Sequence, residues 1–191
     1  VGMTQVFDEK GNFIPVTVIE KVYEIEYDRH LYNGDNWLYI NLPIERIREM
    51  AIASIKDNTA MYFSCDVGKY FDRKNGTLDL KNYDYESLFR TSFPMSKSQR
   101  IQTHASSSSH AMTLIGVDID DKGEARKWLI ENGWGAKPGD KGKLIMTDDW
   151  FREYMFRLVL ERKYVPQDIL DMFKQKPIML KPWDPMFAPE E

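Results

Sequence analysis

At 191 residues, 42% of them hydrophobic, the chain is long enough to bury one sizeable core, and no apolar run approaches the ~18 residues of a membrane-spanning helix. A net charge of −4, with its basic residues dispersed, gives no general attraction to a phosphate backbone or an anionic bilayer, so nucleic acid and membrane are excluded as expected partners. A single cysteine, Cys65, excludes an internal disulfide framework; with no charged-then-apolar leader, the expected location is the cytoplasm.

Residues 1–20 predict a hairpin, with β-rich Thr4 to Phe7, a turn over Asp8 to Asn12, and β-branched Val16 to Ile19. The alternation from Val22 to Tyr27 predicts a strand, the polar stretch Asn33 to Asn36 a turn, and Trp37 to Asn41 the returning strand. Pro43 opens a predicted helix whose Ile44, Ile47, Ala51 and Ile55 share one stripe, ending near Asn58. Ala60 to Cys65 predicts a short apolar strand. The polar, turn-rich region from Lys69 to Arg100 predicts loops, with a short helix around Tyr83 to Phe89.

Ser106 to Ser109 form a four-serine run before His110, read more readily as a flexible loop than as a source of a nucleophile. Met112 to Asp120 and Lys127 to Asn132 predict paired strands around the turn Asp121-Lys122-Gly123. Lys143 to Met146 predicts another strand, Thr147 with Asp148 and Asp149 the start of a helix to Tyr154, and Met155 to Glu161 a last strand. Pro166 starts a closing helix to Lys174. The tail 176–191, with four prolines, is expected to be extended without regular structure.

The predicted hairpin brings His110 and Asn132, at its two open ends, within a few strand spacings of ~4.8 Å. An imidazole held by an amide on one ring nitrogen can serve a thiol nucleophile with the other. Beside Asn132 stand an indole, Trp134, and two glycines, Gly133 and Gly135. Alone, a histidine beside an apolar strand is more often structural; its spacing to Asn132-Gly133-Trp134-Gly135 favours a site. Trp128 and Trp150 read as core. His30 and His104 have no carboxylate or cysteine at ligand spacing, so neither a metal nor a cofactor is expected. Asp148 and Asp149 read as a helix start rather than paired acids.

From about residue 21 the chain resembles the carboxy-terminal half of the bleomycin hydrolase and aminopeptidase C family, within the papain-like cysteine peptidases. The resemblance rests on Tyr39-Ile40-Asn41-Leu42-Pro43, Phe63-Ser64-Cys65-Asp66-Val67-Gly68-Lys69, His110-Ala111-Met112-Thr113, Glu131-Asn132-Gly133-Trp134-Gly135, Met146-Thr147-Asp148-Asp149-Trp150-Phe151 and Lys181-Pro182-Trp183-Asp184-Pro185-Met186, in that order. Residues 1–20 instead resemble the opening of a bacterial ribosomal large-subunit protein.

The family resemblance implies an α+β papain-like fold, of which this chain is the β-rich half with short flanking helices. It divides the chain into a hairpin or fused segment (1–20), a catalytic half-domain (21–175) and an extended tail (176–191). It implies His110 as catalytic histidine, Asn132 as the amide that orients it, Trp134 as the shielding indole, and Ser109 and Ala111 as substrate-binding neighbours. It also implies a peptide substrate, barrel-like homo-hexamers, and a carboxy terminus in the cleft, where Glu190 and Glu191 would meet a substrate ammonium. In this family the nucleophilic cysteine sits in a Gln-x-x-x-Cys-Trp context in the amino-terminal half, and no such text occurs here. Cys65 falls on a structural strand instead. The chain alone is therefore expected to be inactive, either the histidine-bearing part of a cysteine aminopeptidase served by a thiol-bearing half-chain or a non-enzymatic subunit of the same fold. Two departures bear on substrate preference: the family's Asn-Ser-Trp-Gly reads Asn132-Gly133-Trp134-Gly135 here, and His104 to Ser109 replace its Gly-Glu-Ser-x-Met-Thr run.

Overall fold

The structure, a computed structural model, describes residues 3–7, 13–17 and 19–185. Two strands, β1 (Met3–Phe7) and β2 (Phe13–Thr17), pair antiparallel in the expected amino-terminal hairpin; the turn assigned to Asp8 to Asn12 and the end of the tail, Glu190 and Glu191 included, lie outside the described residues. A second unit pairs β3 (Lys21–Ile25) antiparallel with β4 (Leu38–Asn41), as the alternation predicts.

The helix α1 (Ile44–Lys56) follows Pro43, with Glu45 in its first turn and Lys56 in its last, each charge favourable to the helix dipole. Ala51 is fully buried on its inner face, and Ile44, Ile47 and Ile55 pack against the same core.

The main sheet has seven strands. These are β5 (Met61–Cys65), β6 (Phe71–Asp72), β7 (Thr77–Leu78), β8 (His110–Ile119), β9 (Ala125–Glu131), β10 (Lys143–Thr147) and β11 (Met155–Leu158), in the spatial order β11-β5-β8-β9-β10-β7-β6. All neighbours are antiparallel except β10 and β7. Side chains alternate across the sheet, so Met112, Leu114, Trp128, Ile130, Leu144 and Met146 share the buried face. Over that face lies α4 (Asp148–Tyr154), capped by Thr147, whose hydroxyl accepts from the Trp150 amide; Phe151 stacks on Trp128 at 4.9 Å between ring centroids.

Asp148 is a structural node within that helix start. Its Oδ1 accepts from Arg48 Nε at 2.9 Å and Trp128 Nε1 at 3.0 Å, and its Oδ2 from Arg152 Nε at 3.0 Å. The carboxylate is thus buried with its lone pairs satisfied, which is the condition under which a buried charge is tolerated.

Three stretches differ from the expectations. The region from Lys69 to Arg100 holds the short strands β6 and β7 and a second short helix, α3 (Lys97–Gln102), besides the expected α2 (Tyr85–Phe89). The serine run is anchored rather than loose: Ser106 is buried and donates to Asp66 Oδ2 at 2.7 Å, and Ser108 donates to Ser64 Oγ at 2.9 Å. In the tail, after α5 (Gln167–Met172), Ile178–Leu180 form a further strand, β12, parallel to β3, so β11 is not the last strand. Its three residues lie between the prolines at 177 and 182, which restrict the segment without occupying it.

Candidate active site

The strand period places His110 and Asn132 on one face. His110 follows the parity of the buried Met112 and Leu114 on β8, and Asn132 that of Trp128 and Ile130 on β9, so both side chains project toward the core side at the sheet's open end. Thr113 pairs with Glu131, which sets Asn132 diagonally across from His110. The imidazole Nε2 and the Asn132 amide oxygen Oδ1 stand 3.1 Å apart. Trp134 stacks on the imidazole, ring centroids 4.4 Å apart and planes 27° from parallel, with 38% of the indole residue exposed.

An amide oxygen only accepts, so the proton on this bond belongs to Nε2 and the Nδ1 lone pair is left for other work. The Asn132 backbone N–H donates to Gly142 O at 3.0 Å, fixing the residue where β9 leaves the sheet. Its Nδ2 is buried without an acceptor among the described residues. Such a group costs about 1–3 kcal/mol, and native structures rarely carry one without a functional demand.

The turn from β9 to β10 has a matching constraint. Gly76 and Gly139 lie back to back at φ 68° and 63°, and a Cβ on Gly139 would meet Lys143 O at 2.1 Å. Only glycine satisfies both the left-handed backbone and this approach.

Ser109 and Ala111, the expected substrate-binding neighbours, lie on either side of His110 in sequence and point in different directions. The Ser109 hydroxyl faces β5, accepting from the Val67 amide at 3.3 Å and reaching Cys65 O at 3.4 Å. Ala111 is exposed on the opposite face of β8, paired with Ser64. His110, Asn132 and Trp134 are the residues brought together.

Cys65 pairs with His110 across β5 and β8, yet it is fully buried. Burial first, and the neighbouring Asp66 carboxylate second, push its thiol well above the ordinary range, so it stays protonated. It is a core residue. No group of three or more histidine, cysteine or acidic residues among the described residues is arranged to hold a metal ion.

Two neighbours of the site carry no sequence signal. Phe71 of β6 packs on Trp134 at 6.0 Å, and the Arg73 guanidinium lies 5.1 Å from the same indole. The Ser106–Asp66 bond, which anchors the approach to His110, joins residues 40 apart. No local pattern announces such pairs.

This curled sheet, with a histidine and an asparagine meeting at its open end, is the β-rich part of a papain-like peptidase fold. PepW of Lactobacillus rhamnosis superposes with a TM-score of 0.86 at 30% identity, over 98% of this chain and 49% of that one. The sequence model of the Peptidase C1-like family matches residues 15–187, and the chain belongs to that family. Human bleomycin hydrolase is 44% identical over 171 residues, 88% of this chain and 38% of the relative. Aminopeptidase W of Lactobacillus delbrueckii subsp. lactis is 41% identical over 166 residues, 87% of this chain and again 38% of the relative. The chain thus spans well under half the length of the curated relatives it matches.

Proposed function

We propose that this chain supplies the proton-handling wall of a cysteine aminopeptidase, with His110 as base and acid, Asn132 as its orienting partner and Trp134 as the shield of their hydrogen bond. The observation that carries it is the His110 Nε2 to Asn132 Oδ1 contact at 3.1 Å beneath a stacked indole, which commits Nε2 and leaves Nδ1 as the nitrogen that would serve a thiol. The names of the relatives support the reaction class.

The sulfur comes from outside this sequence, from a longer polypeptide or a second chain, because the single cysteine here is buried and protonated. Nδ1 takes the thiol proton, and the thiolate forms a C–S bond at the peptide carbonyl. As the C–N bond breaks, Nδ1 returns the proton to the departing amine. His110 then draws a proton from water, which attacks the thioester and releases the acid and the thiol. Throughout, Asn132 keeps Nε2 protonated and the ring in place, and Trp134 excludes water that would compete for that bond.

The cytoplasmic location, and a homo-oligomer of the barrel-like hexameric kind, belong to the same proposal. A second reading, a non-enzymatic subunit of this fold, is favoured by the burial of Cys65 alone. A peptide carrying a thiol-directed electrophile, applied to the native protein followed by intact-mass analysis, separates the two. The enzyme reading expects one label on a cysteine outside this sequence, lost in His110→Ala. Labelling at Cys65, or labelling indifferent to His110→Ala, would refute it.

A further inference from the structure

The residue on the far margin of the site is Arg73, in the turn between β6 and β7. Its guanidinium carbon lies 5.1 Å from the centroid of Trp134 and 5.9 Å from that of Phe71, so the charge rests against two aromatic rings although the residue is exposed. No carboxylate among the described residues pairs with it. The nearest acid in sequence, Asp72, is committed to its own turn: Oδ1 accepts from the amides of Lys74 at 2.9 Å and Asn75 at 3.0 Å, and Oδ2 from Asn75 Nδ2 at 2.6 Å. Arg73 therefore presents a planar fork of donors, steadied by its cation–π contacts and open to an anion.

Its position relative to the reaction follows from the ring it touches. His110 has Nε2 tied to Asn132, so a proton can reach a departing amine only from Nδ1. The acyl part of a substrate stays bonded to sulfur, while the amine part leaves along the imidazole. Trp134 covers the imidazole, and Arg73 lies on Trp134. We infer that Arg73 is a specificity-determining residue on the leaving-group side, taking a carboxylate carried by the part of the peptide beyond the scissile bond. A free carboxyl terminus and an acidic side chain offer the same chemistry, a two-oxygen acceptor matched to the guanidinium fork. This rests on the active-site reading above, but its test requires no thiol.

The test uses the 191-residue chain, following the Trp134 indole N–H by ¹⁵N–¹H correlation, with the signal assigned from Trp134→Phe. Three blocked peptides are titrated at low salt: N-acetylglycylglycine, with a terminal carboxylate; N-acetylglycylglutamic acid α-amide, with a side-chain carboxylate; and N-acetylglycylglycinamide, with none. At least one carboxylate peptide should bind about two- to fivefold more tightly than the neutral one, the upper part of the range for an exposed ion pair. Arg73→Gln should abolish that preference, and Lys74→Gln, which removes an equal charge from the next residue, should keep it. Which carboxylate peptide is preferred assigns the anion to a chain end or a side chain. Equal binding of all three peptides, a preference that survives Arg73→Gln, or one lost equally in Lys74→Gln would overturn the inference. A failed thiol-labelling experiment would leave this binding result standing, so the two failures are distinguishable.

Discussion

At the His110 imidazole Nε2 is tied to Asn132, and Asn132 is the residue whose removal separates geometry from stability. Asn132→Ala deletes a hydrogen bond worth about 0.5–1.5 kcal/mol, but it also deletes a buried N–H that lacks an acceptor among the described residues. The two changes oppose each other. Urea denaturation of Asn132→Ala should therefore give a stability within about 1 kcal/mol of the wild type. On the proposed cysteine-peptidase reading, the same substitution should lower kcat of the thiol-containing assembly by about 10²-fold, because Nε2 no longer holds its proton in a fixed direction. A collapse of folding with no separate kinetic effect would show Asn132 to be a packing residue.

Among the elements, the junction of α3 with α4 and β11 carries a titratable lysine. Lys97 Nζ donates to Arg152 O at 3.0 Å and Met155 O at 2.5 Å, satisfying carbonyls where α4 ends. Burial pulls its amine down to about 8, against the opposing attraction of Glu153. Between pH 8 and the ordinary lysine range the unfolded chain binds more protons than the folded one, so this residue makes stability rise with pH across that window. Lys97→Met should remove the rise, which amounts to on the order of 1 kcal/mol, at the expense of the two carbonyl bonds. Urea midpoints at pH 7.5 and 9.5 for both proteins would measure it, and parallel changes in the two would reject it.

These elements also show what can be read from a sequence. The β8–β9 hairpin was legible because period-two alternation brackets a Gly123 turn, and α1 and α4 because Pro43 and Thr147 mark their starts. The capping box of α3 was present in the text: Ser96 accepts from the Gln99 amide, and the Gln99 side chain accepts from the Ser96 amide at 2.8 Å. It was hidden by the polar composition around it. Strands of two residues, such as β6 and β7, are too short to show any period, and β12 gains its identity only from β3, more than 150 residues earlier. For the candidate site, the meeting of His110, Asn132 and Trp134 was legible through their spacing. Arg73 and the Ser106–Asp66 anchor were not, since contacts across the fold leave no local trace.

Over the whole molecule, a groove of about 1010 Å³ runs between the three-stranded sheet β12-β3-β4 and the surface of α1, β11 and α5. Its wall includes Tyr39, Leu42, Ile47, Phe156, Leu160 and Phe173, and none of His110, Asn132 or Trp134 belongs to it. An apolar groove of this size should bind an environment-sensitive dye such as anilinonaphthalene sulfonate while the chain is fully folded. Unchanged dye fluorescence on addition of folded protein would mean that the groove is closed in solution.

The hairpin that carries the site has a consequence for timing. His110 and Asn132 are 22 residues apart and meet at the ends of one β8–β9 ribbon, so closing that loop sacrifices little chain entropy. Ribbons of this kind zip in about 1–10 μs, whereas the pairing of β12 with β3 must gather distant chain and comes later. The His110–Asn132 contact should thus form early, as a short-range product of folding, ahead of the slower assembly around it.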